Sequence, residues 1–271
     1  MPIEIIAGRQ TGLRRAGRGE PALLIHCSLA HSGAWSGVMK ALENCLEMVA
    51  VDIPGHGATE FDASRDIQDQ AVETAVVLLE RFGRPAHLVG HSFGATVALR
   101  LAIGRPDLVA SLSLFEPVYF SLLAGGNPAA YEQEMAAMQN FADCVMADDW
   151  GGAADAFLKR WGEGMTVAMM PEKQRDYVLE RIPLIVANNH SIIDVREGGV
   201  TLADVARVSA PCLLMEGERS PASIHRVNDL IAAALPDVRR RVIKGAGHMG
   251  PITHAAVIAG EVSAFLGCDQ G

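Results

Sequence analysis

Residues 89–95 read VGHSFGA, and this stretch decides how the rest of the chain is interpreted. Ser92 lies between Gly90 and Gly94, after an apolar run and before a segment of small and apolar residues. A strand that turns sharply into a helix needs glycine two positions away on either side, because a side chain there would collide with neighbouring elements. The stretch therefore predicts a strand, a strained turn at Ser92 and a helix.

Short apolar runs alternate with longer segments of helical spacing along the rest of the chain. This alternation predicts an α/β fold with a mostly parallel central sheet and helices on both of its faces. Strands that run into loops are predicted within 21–28, 46–55, 85–92, 109–117, 210–218 and 238–248. Before them, residues 3–16 are expected to add an antiparallel hairpin at the sheet edge.

The strand signal disappears from about residue 120 to residue 205, where three long segments have helical spacing. A helical insertion between two strands of an open α/β sheet lies over the strand ends, where ligands bind in such folds. We therefore predict a core formed by residues 1–119 and 206–271 and a helical cap formed by residues 120–205. Candidate pocket residues in this region are Tyr119, Phe120, Trp161, Met165, Met169, Met170, Arg175, Asn188, Asn189 and His190.

The composition describes an ordinary globular chain and argues against two classes of partner. Of the 271 residues, 49% are hydrophobic and 20% are charged, which is enough to bury a large core. The formal net charge is -9, with 32 acidic and 23 basic residues and no long basic run. Nucleic acid and anionic membrane surfaces are therefore not expected as partners, and the composition does not indicate an oligomeric state.

Cellular location and cysteine use are predicted from the same composition. No stretch of the sequence has the roughly 18 uninterrupted apolar residues of a membrane span, and the first 20 residues lack the pattern of a signal peptide. We expect a cytoplasmic protein. The five cysteines are odd in number, are scattered and include no CxxC pair, so most are expected to be small buried hydrophobic residues.

In the stretch around Ser92, with its flanking strand and helix, the chain resembles the α/β-hydrolase family, and the resemblance extends over nearly its whole length. It implies that Ser92 is a nucleophile. A serine hydroxyl is a weak nucleophile until a base within hydrogen-bonding reach takes its proton. In KGAGHMGP, which follows the last predicted strand, His248 matches the family's catalytic histidine.

The acid that orients the histidine is where this sequence departs from the common family pattern. In most members an aspartate follows the strand that corresponds to APCLLMEG, three residues after its glycine, and here Ser220 occupies that position. Two glutamates are alternatives: Glu218 on the same loop, and Glu116 at the end of the strand SLSLFEP. We favour Glu116, because a position at a strand tip before Pro117 fixes its direction.

The resemblance also implies an oxyanion hole formed by two backbone N–H groups. One donor is expected from Phe93, directly after the nucleophile. The other is expected from Ser28, in a loop where the family usually has His-Gly-x and this chain has His26, Cys27 and Ser28. The stretch VDIPGHGAT, with Asp52 and His56, matches a family stretch that we interpret as structural support near the site.

These residues together predict a serine hydrolase that cleaves a small carboxylic ester through an acyl-enzyme intermediate, with no metal or organic cofactor. A serine at position 92 argues against the haloalkane dehalogenase and epoxide hydrolase branches, whose members use aspartate there. Carbon–carbon bond hydrolysis, lactone opening, thioester cleavage and a lyase reaction are alternatives on the same residues. A ligand receptor that keeps a hydrolase pocket is an alternative from another class.

Overall fold

The computed structural model describes residues 2–268 of the chain. Its strands are β1 (Ile3–Ile6), β2 (Arg9–Ala16), β3 (Glu20–Ile25), β4 (Leu46–Val51), β5 (Ala86–His91), β6 (Val109–Phe115), β7 (Cys212–Gly217) and β8 (Val238–Ile243). They form an eight-stranded sheet in the order β1-β2-β4-β3-β5-β6-β7-β8. β2 pairs antiparallel with β1 and β4, and the pairs from β4 to β8 are parallel.

The predicted mostly parallel sheet and its antiparallel edge hairpin are confirmed. The predicted segments include the loops that follow the strands, and the structure shows where each strand ends. In the last segment β8 ends at Ile243, and Gly245, with a φ of +72°, turns the chain out of the sheet. The strands therefore stop early enough for their following loops to meet at one edge of the sheet.

Helices cover both faces of the sheet, as the alternating pattern predicts. The helices are α1 (Ser36–Leu42), α2 (Ile67–Phe82), α3 (Phe93–Gly104), α4 (Ser121–Gly126), α5 (Pro128–Met146), α6 (Trp150–Trp161), α7 (Glu172–Leu179), α8 (Ile182–Ile192), α9 (Leu202–Val205), α10 (Ala222–Ala234), α11 (Gly250–Thr253) and α12 (Ala255–Leu266). Of the helices in residues 2–268, none has the length and apolar character that a membrane span requires.

Successive side chains of a strand point to opposite faces of the sheet, and each face has its own hydrophobic core. Leu23 and Ile25 of β3 pack on the face covered by α2, α3 and α10. Ala22 and Leu24 of the same strand pack on the face covered by α1 and α12. β3 and its neighbours are therefore buried on both sides, which holds the loops at their carboxyl ends in fixed positions.

Helices α4 to α9 occupy the region between β6 and β7, and no strand lies in the fully described stretch 116–211. Helices α5 to α8 have a hydrophobic core of their own, which includes Phe141, Leu158, Val178 and Ile182. They also contact the rest of the chain through α2 and α10. These features fit a helical cap, and the division at residues 120 and 205 stays a prediction.

The cysteines differ from the sequence-based prediction in one respect. Cys45 and Cys268 form a disulfide across 223 positions of the sequence, with their Cα atoms 5.9 Å apart. Cys27 and Cys212 are buried, as expected, and Cys144 is partly exposed. The prediction missed the pair because its two members are far apart in the sequence and are brought together only when α12 packs against α1.

We expect the Cys45–Cys268 disulfide to stabilise the folded chain by about 2–5 kcal/mol, because it restricts a very long loop of the unfolded state. The Cys45→Ser variant should therefore have a lower free energy of unfolding than the wild type without reductant, and the two should converge when dithiothreitol is present. Cys144→Ser is the matched control.

Thiol titration of the denatured, unreduced protein provides an independent check. We expect three reactive thiols, from Cys27, Cys144 and Cys212. Five reactive thiols would show that the disulfide does not form.

Candidate active site

The turn at Ser92 is strained because two segments of backbone approach it closely. Ser92 has φ 55° and ψ −117°, a conformation that costs free energy in a residue other than glycine. A Cβ atom on Gly90 would lie 2.5 Å from the Cα of Ala95, and one on Gly94 would lie 2.2 Å from the carbonyl oxygen of Ile25. The collisions predicted from the sequence are therefore present, and the turn lifts the Ser92 side chain out at the end of β5.

The structure brings together three of the residues singled out from the sequence. His248 Nε2 lies 3.0 Å from Ser92 Oγ, and His248 Nδ1 lies 2.6 Å from Glu116 Oε2. Because a carboxylate can only accept, Nδ1 donates to Glu116 and leaves Nε2 free to accept from the Ser92 hydroxyl. All three side chains are buried, and Glu116 is completely so. This is the arrangement that activates a serine in acyl-transfer enzymes.

The second oxygen of Glu116 is held by the loop that carries the acid in most of the family. Glu116 Oε1 accepts from the backbone N–H of Gly217 at 2.6 Å and from the hydroxyl of Ser220. Glu116 itself has a φ of +53°, so the chain turns abruptly at the end of β6. The carboxylate thus reaches from β6 across the end of β7 to the histidine loop.

Glu218, the alternative acid, does not reach His248. Its Oε2 accepts from the backbone N–H of Gly245 at 2.8 Å, and its side chain is exposed. Of the two glutamates weighed from the sequence, Glu116 is the one in contact with the imidazole.

His91 forms a hydrogen bond that holds the loop carrying His248. Its Nε2 lies 2.8 Å from the carbonyl oxygen of His248 and donates to it. Burial lowers the pKa of His91 well below the ordinary value, so the ring is neutral. The ring of His91 also packs edge-on against Phe115. The hydrogen bond adds a positioning function that its place next to Ser92 did not reveal.

The amides of Phe93 and Ser28 are the two donors that the sequence predicts for an oxyanion hole. Neither N–H donates a hydrogen bond to any residue in the described range 2–268. Phe93 is the first residue of α3, so the partial positive charge of the helix N-terminus adds to its amide. Cys27, which replaces the family's glycine, is buried without a positive φ. In this loop Leu29 has the left-handed conformation, with a φ of +60°.

Two neutral histidines hold the loop that carries Ser28. His56 Nε2 accepts from the N–H of Leu29 at 3.0 Å, and His26 Nε2 accepts from the N–H of Ile53 at 3.0 Å. Burial lowers the pKa of His26 to about 4 and that of His56 to about 3. Both rings therefore remain acceptors at neutral pH. The sequence predicted that the VDIPGHGAT stretch supports the site but did not indicate which residue it contacts. The hydrogen bond between His56 and Leu29 is that contact.

Asp52 and Tyr177 fix the same loop from two other directions. Asp52 Oδ1 accepts from the N–H of Ser32 at 2.6 Å, and Oδ2 accepts from the N–H of Ala58 at 3.0 Å. Burial alone would raise the pKa of Asp52, but these hydrogen bonds outweigh it and lower the pKa. The hydroxyl of Tyr177 donates to the carbonyl of Ala30 at 2.7 Å, so α7 is tied directly to the loop.

A cavity of about 550 Å³ opens onto Ser92 and His248 and continues among α5, α6 and α8. Of the predicted pocket residues, Phe120, Trp161, Asn188 and Asn189 line it. The ring of Trp161 packs 4.8 Å from that of His248, centre to centre. The others lie elsewhere: Tyr119 and Met170 are buried outside the cavity lining, Arg175 is half-buried outside it, and Met165, Met169 and His190 are exposed.

Asn188 connects α8 to the predicted oxyanion loop. Its Nδ2 donates to Ser28 Oγ at 2.9 Å, and its Oδ1 is buried and has no hydrogen-bond partner in the described part of the chain. An orphaned buried acceptor costs free energy unless a bound molecule satisfies it. This residue thus adds a polar group to a cavity lined mainly by apolar side chains.

Comparison with known proteins assigns the fold to one family. A sequence model described as "Alpha/beta hydrolase family" matches residues 22–261. The enol-lactonase from Burkholderia xenovorans superposes with a TM-score of 0.76 at 18% identity, over 98% of this chain and all of that one. At this identity, the structural likeness shows the shared fold.

Two relatives are pimeloyl-[acyl-carrier protein] methyl ester esterases. The one from Methylococcus capsulatus is 35% identical over 153 residues, which cover 55% of this chain and 57% of that protein. The one from Nitrosomonas europaea is 26% identical over 239 residues, which cover 87% of this chain and 91% of that protein.

We expect Glu116→Gln to slow the reaction of Ser92 with a fluorophosphonate by on the order of 10³-fold or more, because an amide cannot hold His248 in the required tautomer. Glu218→Gln is the matched control and should react like the wild type. The measurement is the rate of covalent labelling, followed by intact-mass spectrometry, with circular dichroism to verify folding. Loss of labelling in Glu218→Gln alone would reject the choice of Glu116.

We expect the free energy of unfolding to fall as pH is lowered from 6.5 toward 4, because the native state resists protonation of His26 and His56 while the unfolded state does not. His56→Gln keeps an acceptor for Leu29 and removes one titrating group. Its denaturation profile should be shallower than that of the wild type by up to about 1.4 kcal/mol per pH unit. Identical slopes would contradict a neutral His56 in the folded protein.

Proposed function

The chain belongs to the alpha/beta hydrolase family, and on this premise we propose that it is a serine carboxylesterase acting on small esters through an acyl-enzyme intermediate. One observation carries the proposal: Ser92, His248 and Glu116 form a hydrogen-bonded series, and Ser92 and His248 line a cavity of about 550 Å³ together with Ser28. The two methyl ester esterases among its relatives support the same bond type.

The first half of the reaction follows from the hydrogen bonds that join these groups. His248 takes the proton of Ser92 through Nε2, and the oxygen of Ser92 attacks the ester carbonyl. Glu116 stabilises the imidazolium that forms. The amides of Phe93 and Ser28 donate to the negative oxygen of the tetrahedral intermediate, and His248 then protonates the departing alcohol.

The second half uses the same residues on water. His248 removes a proton from a water molecule, which attacks the acyl-enzyme and forms a second tetrahedral intermediate. Its collapse releases the carboxylic acid and returns the proton to Ser92. The chain's own residues perform each of these steps.

Other reactions in this family begin with the same activated serine or the same cavity. Carbon–carbon bond hydrolysis, lactone opening, lyase chemistry and ligand reception without turnover remain alternatives. An ester is preferred because no further acid or base is needed to expel an alcohol. Release of the substrate's own carbonyl product without uptake of oxygen from labelled water would instead indicate a lyase.

Cellular location stays a prediction. The composition favours the cytoplasm, whereas the Cys45–Cys268 disulfide points the other way, since disulfides persist mainly in oxidising compartments. A small-molecule substrate is proposed as the partner.

We expect the purified protein to release nitrophenol repeatedly from short-chain p-nitrophenyl esters and Ser92→Ala to lose this activity by at least about 10³-fold, because the nucleophile is removed. Ser64→Ala changes an exposed serine outside the cavity lining, is the control and should match the wild type. Equal activity of the wild type and Ser92→Ala would reject an acyl-enzyme at this residue.

A further inference from the structure

The charged residues that line the cavity are distributed unevenly. Apart from His248, the ionisable side chains in its lining are Lys159 and Arg160, at the C-terminal end of α6. No aspartate or glutamate belongs to the lining as the described residues form it. In a chain of net charge -9 this is a local reversal of sign. Such a pocket attracts an anion and repels no part of it.

Arg160 is held in place by a partner that lies behind it. Its Nη2 donates to Glu134, an acid of α5 that is 2% exposed, and lies 3.3 Å from Ser223 Oγ. Glu134 is absent from the cavity lining, so it anchors the guanidinium without occupying the space in front of it. The side chain is therefore preorganised, which lowers the entropic cost of binding a ligand.

Part of the guanidinium's donor capacity remains unused. Arg160 Nε is buried with no hydrogen-bond partner, and Nη1 makes no hydrogen bond to any residue from 2 to 268. Within the same range Glu134 Oε1 also has no hydrogen-bond partner, so the ion pair is only partly satisfied. A guanidinium with free N–H groups matches the geometry of a carboxylate better than any other side chain does.

The position of Arg160 relative to the site limits the shape of the ligand. Its guanidinium carbon lies 5.0 Å from the centre of the Trp161 ring, and the His248 ring lies 4.8 Å from the same ring, centre to centre. The cation and the catalytic base therefore both lie beside one indole. The cavity lining around them is largely apolar and includes Phe120, Phe157 and Ile192. The space suits a short hydrocarbon chain between an ester and an anion.

We infer that Arg160, assisted by Lys159, forms a subsite for a carboxylate, and that the substrates are half-esters of short dicarboxylic acids. This inference rests on the esterase function proposed above and specifies its substrate class. The ester carbonyl lies at Ser92, the hydrocarbon chain lies along Trp161, and the free carboxylate binds at Arg160.

The test compares two esters that differ in charge at the far end. Monomethyl adipate carries a carboxylate there, and methyl hexanoate carries a methyl group. For the wild type we expect kcat/KM to be at least about 10-fold higher for the half-ester, the size of one charge-assisted hydrogen bond. Monomethyl esters of glutaric and suberic acid then define the preferred chain length. A ratio of one or less would overturn the inference.

Variants identify the residue responsible for the ratio. Arg160→Gln should lower the ratio of the two kcat/KM values about 10- to 100-fold, mainly through KM, and Arg160→Lys should restore part of it. Loss of Arg160 leaves the buried carboxylate of Glu134 without its cation, which can destabilise the fold. The ratio is therefore also measured in the double variant Arg160→Gln with Glu134→Gln, which removes both charges. Arg175→Gln changes a half-buried arginine outside the cavity lining and should keep the wild-type ratio. An unchanged ratio in both Arg160 variants would refute the subsite.

A binding measurement separates this inference from the esterase proposal. If the wild type hydrolyses none of the esters, the esterase proposal fails, and titration calorimetry of Ser92→Ala with monomethyl adipate then tests the subsite alone. Binding that is weakened by Arg160→Gln supports the subsite without hydrolysis. Absence of binding rejects it.

Discussion

The close approach of β5, α3 and the end of β3 is the constraint on which the rest of the site depends. Gly90 and Gly94 leave no room for a Cβ atom, and the chain passes between them only with Ser92 in a strained conformation. Two buried hydrophobic cores hold these elements together and offset the free-energy cost of the strained backbone at Ser92. As a result Ser92, the amide of Phe93 and the N-terminus of α3 converge on one point at the sheet edge.

The position of Glu116 shows that a parallel sheet can supply the carboxylate of such a site from either of two neighbouring strands. The carboxyl ends of β6 and β7 are neighbours, so a carboxylate at either end can reach the loop after β8. Here Glu116 at the end of β6 contacts His248, and Ser220, at the position where most of the family has an acid, donates to Glu116. The hydrogen bond from the histidine to a carboxylate is thus kept, while the strand that supplies the carboxylate is a different one. A site of this kind is recognised by geometry and not by sequence position.

The sequence predicted those features that depend on local pattern. Buried apolar runs indicated the strands, and glycine spacing indicated the turn at Ser92. The preference for Glu116 followed from its place at a strand tip. The anchoring of Arg160 by Glu134, the hydrogen bond from Asn188 to Ser28 and the Cys45–Cys268 pair were out of reach, because each joins distant elements whose packing the local pattern does not encode. The outward direction of Glu218 was likewise settled only by its hydrogen bond to Gly245.

The central claim is that Ser92 becomes covalently acylated during turnover. The most direct measurement is acid quenching of the protein in steady state with p-nitrophenyl butyrate, followed by peptide mass spectrometry. The account predicts a butyryl group on the peptide that contains Ser92, and its loss when the substrate is exhausted. Turnover that proceeds with no acyl group on Ser92, or with one on a different residue, would contradict the account.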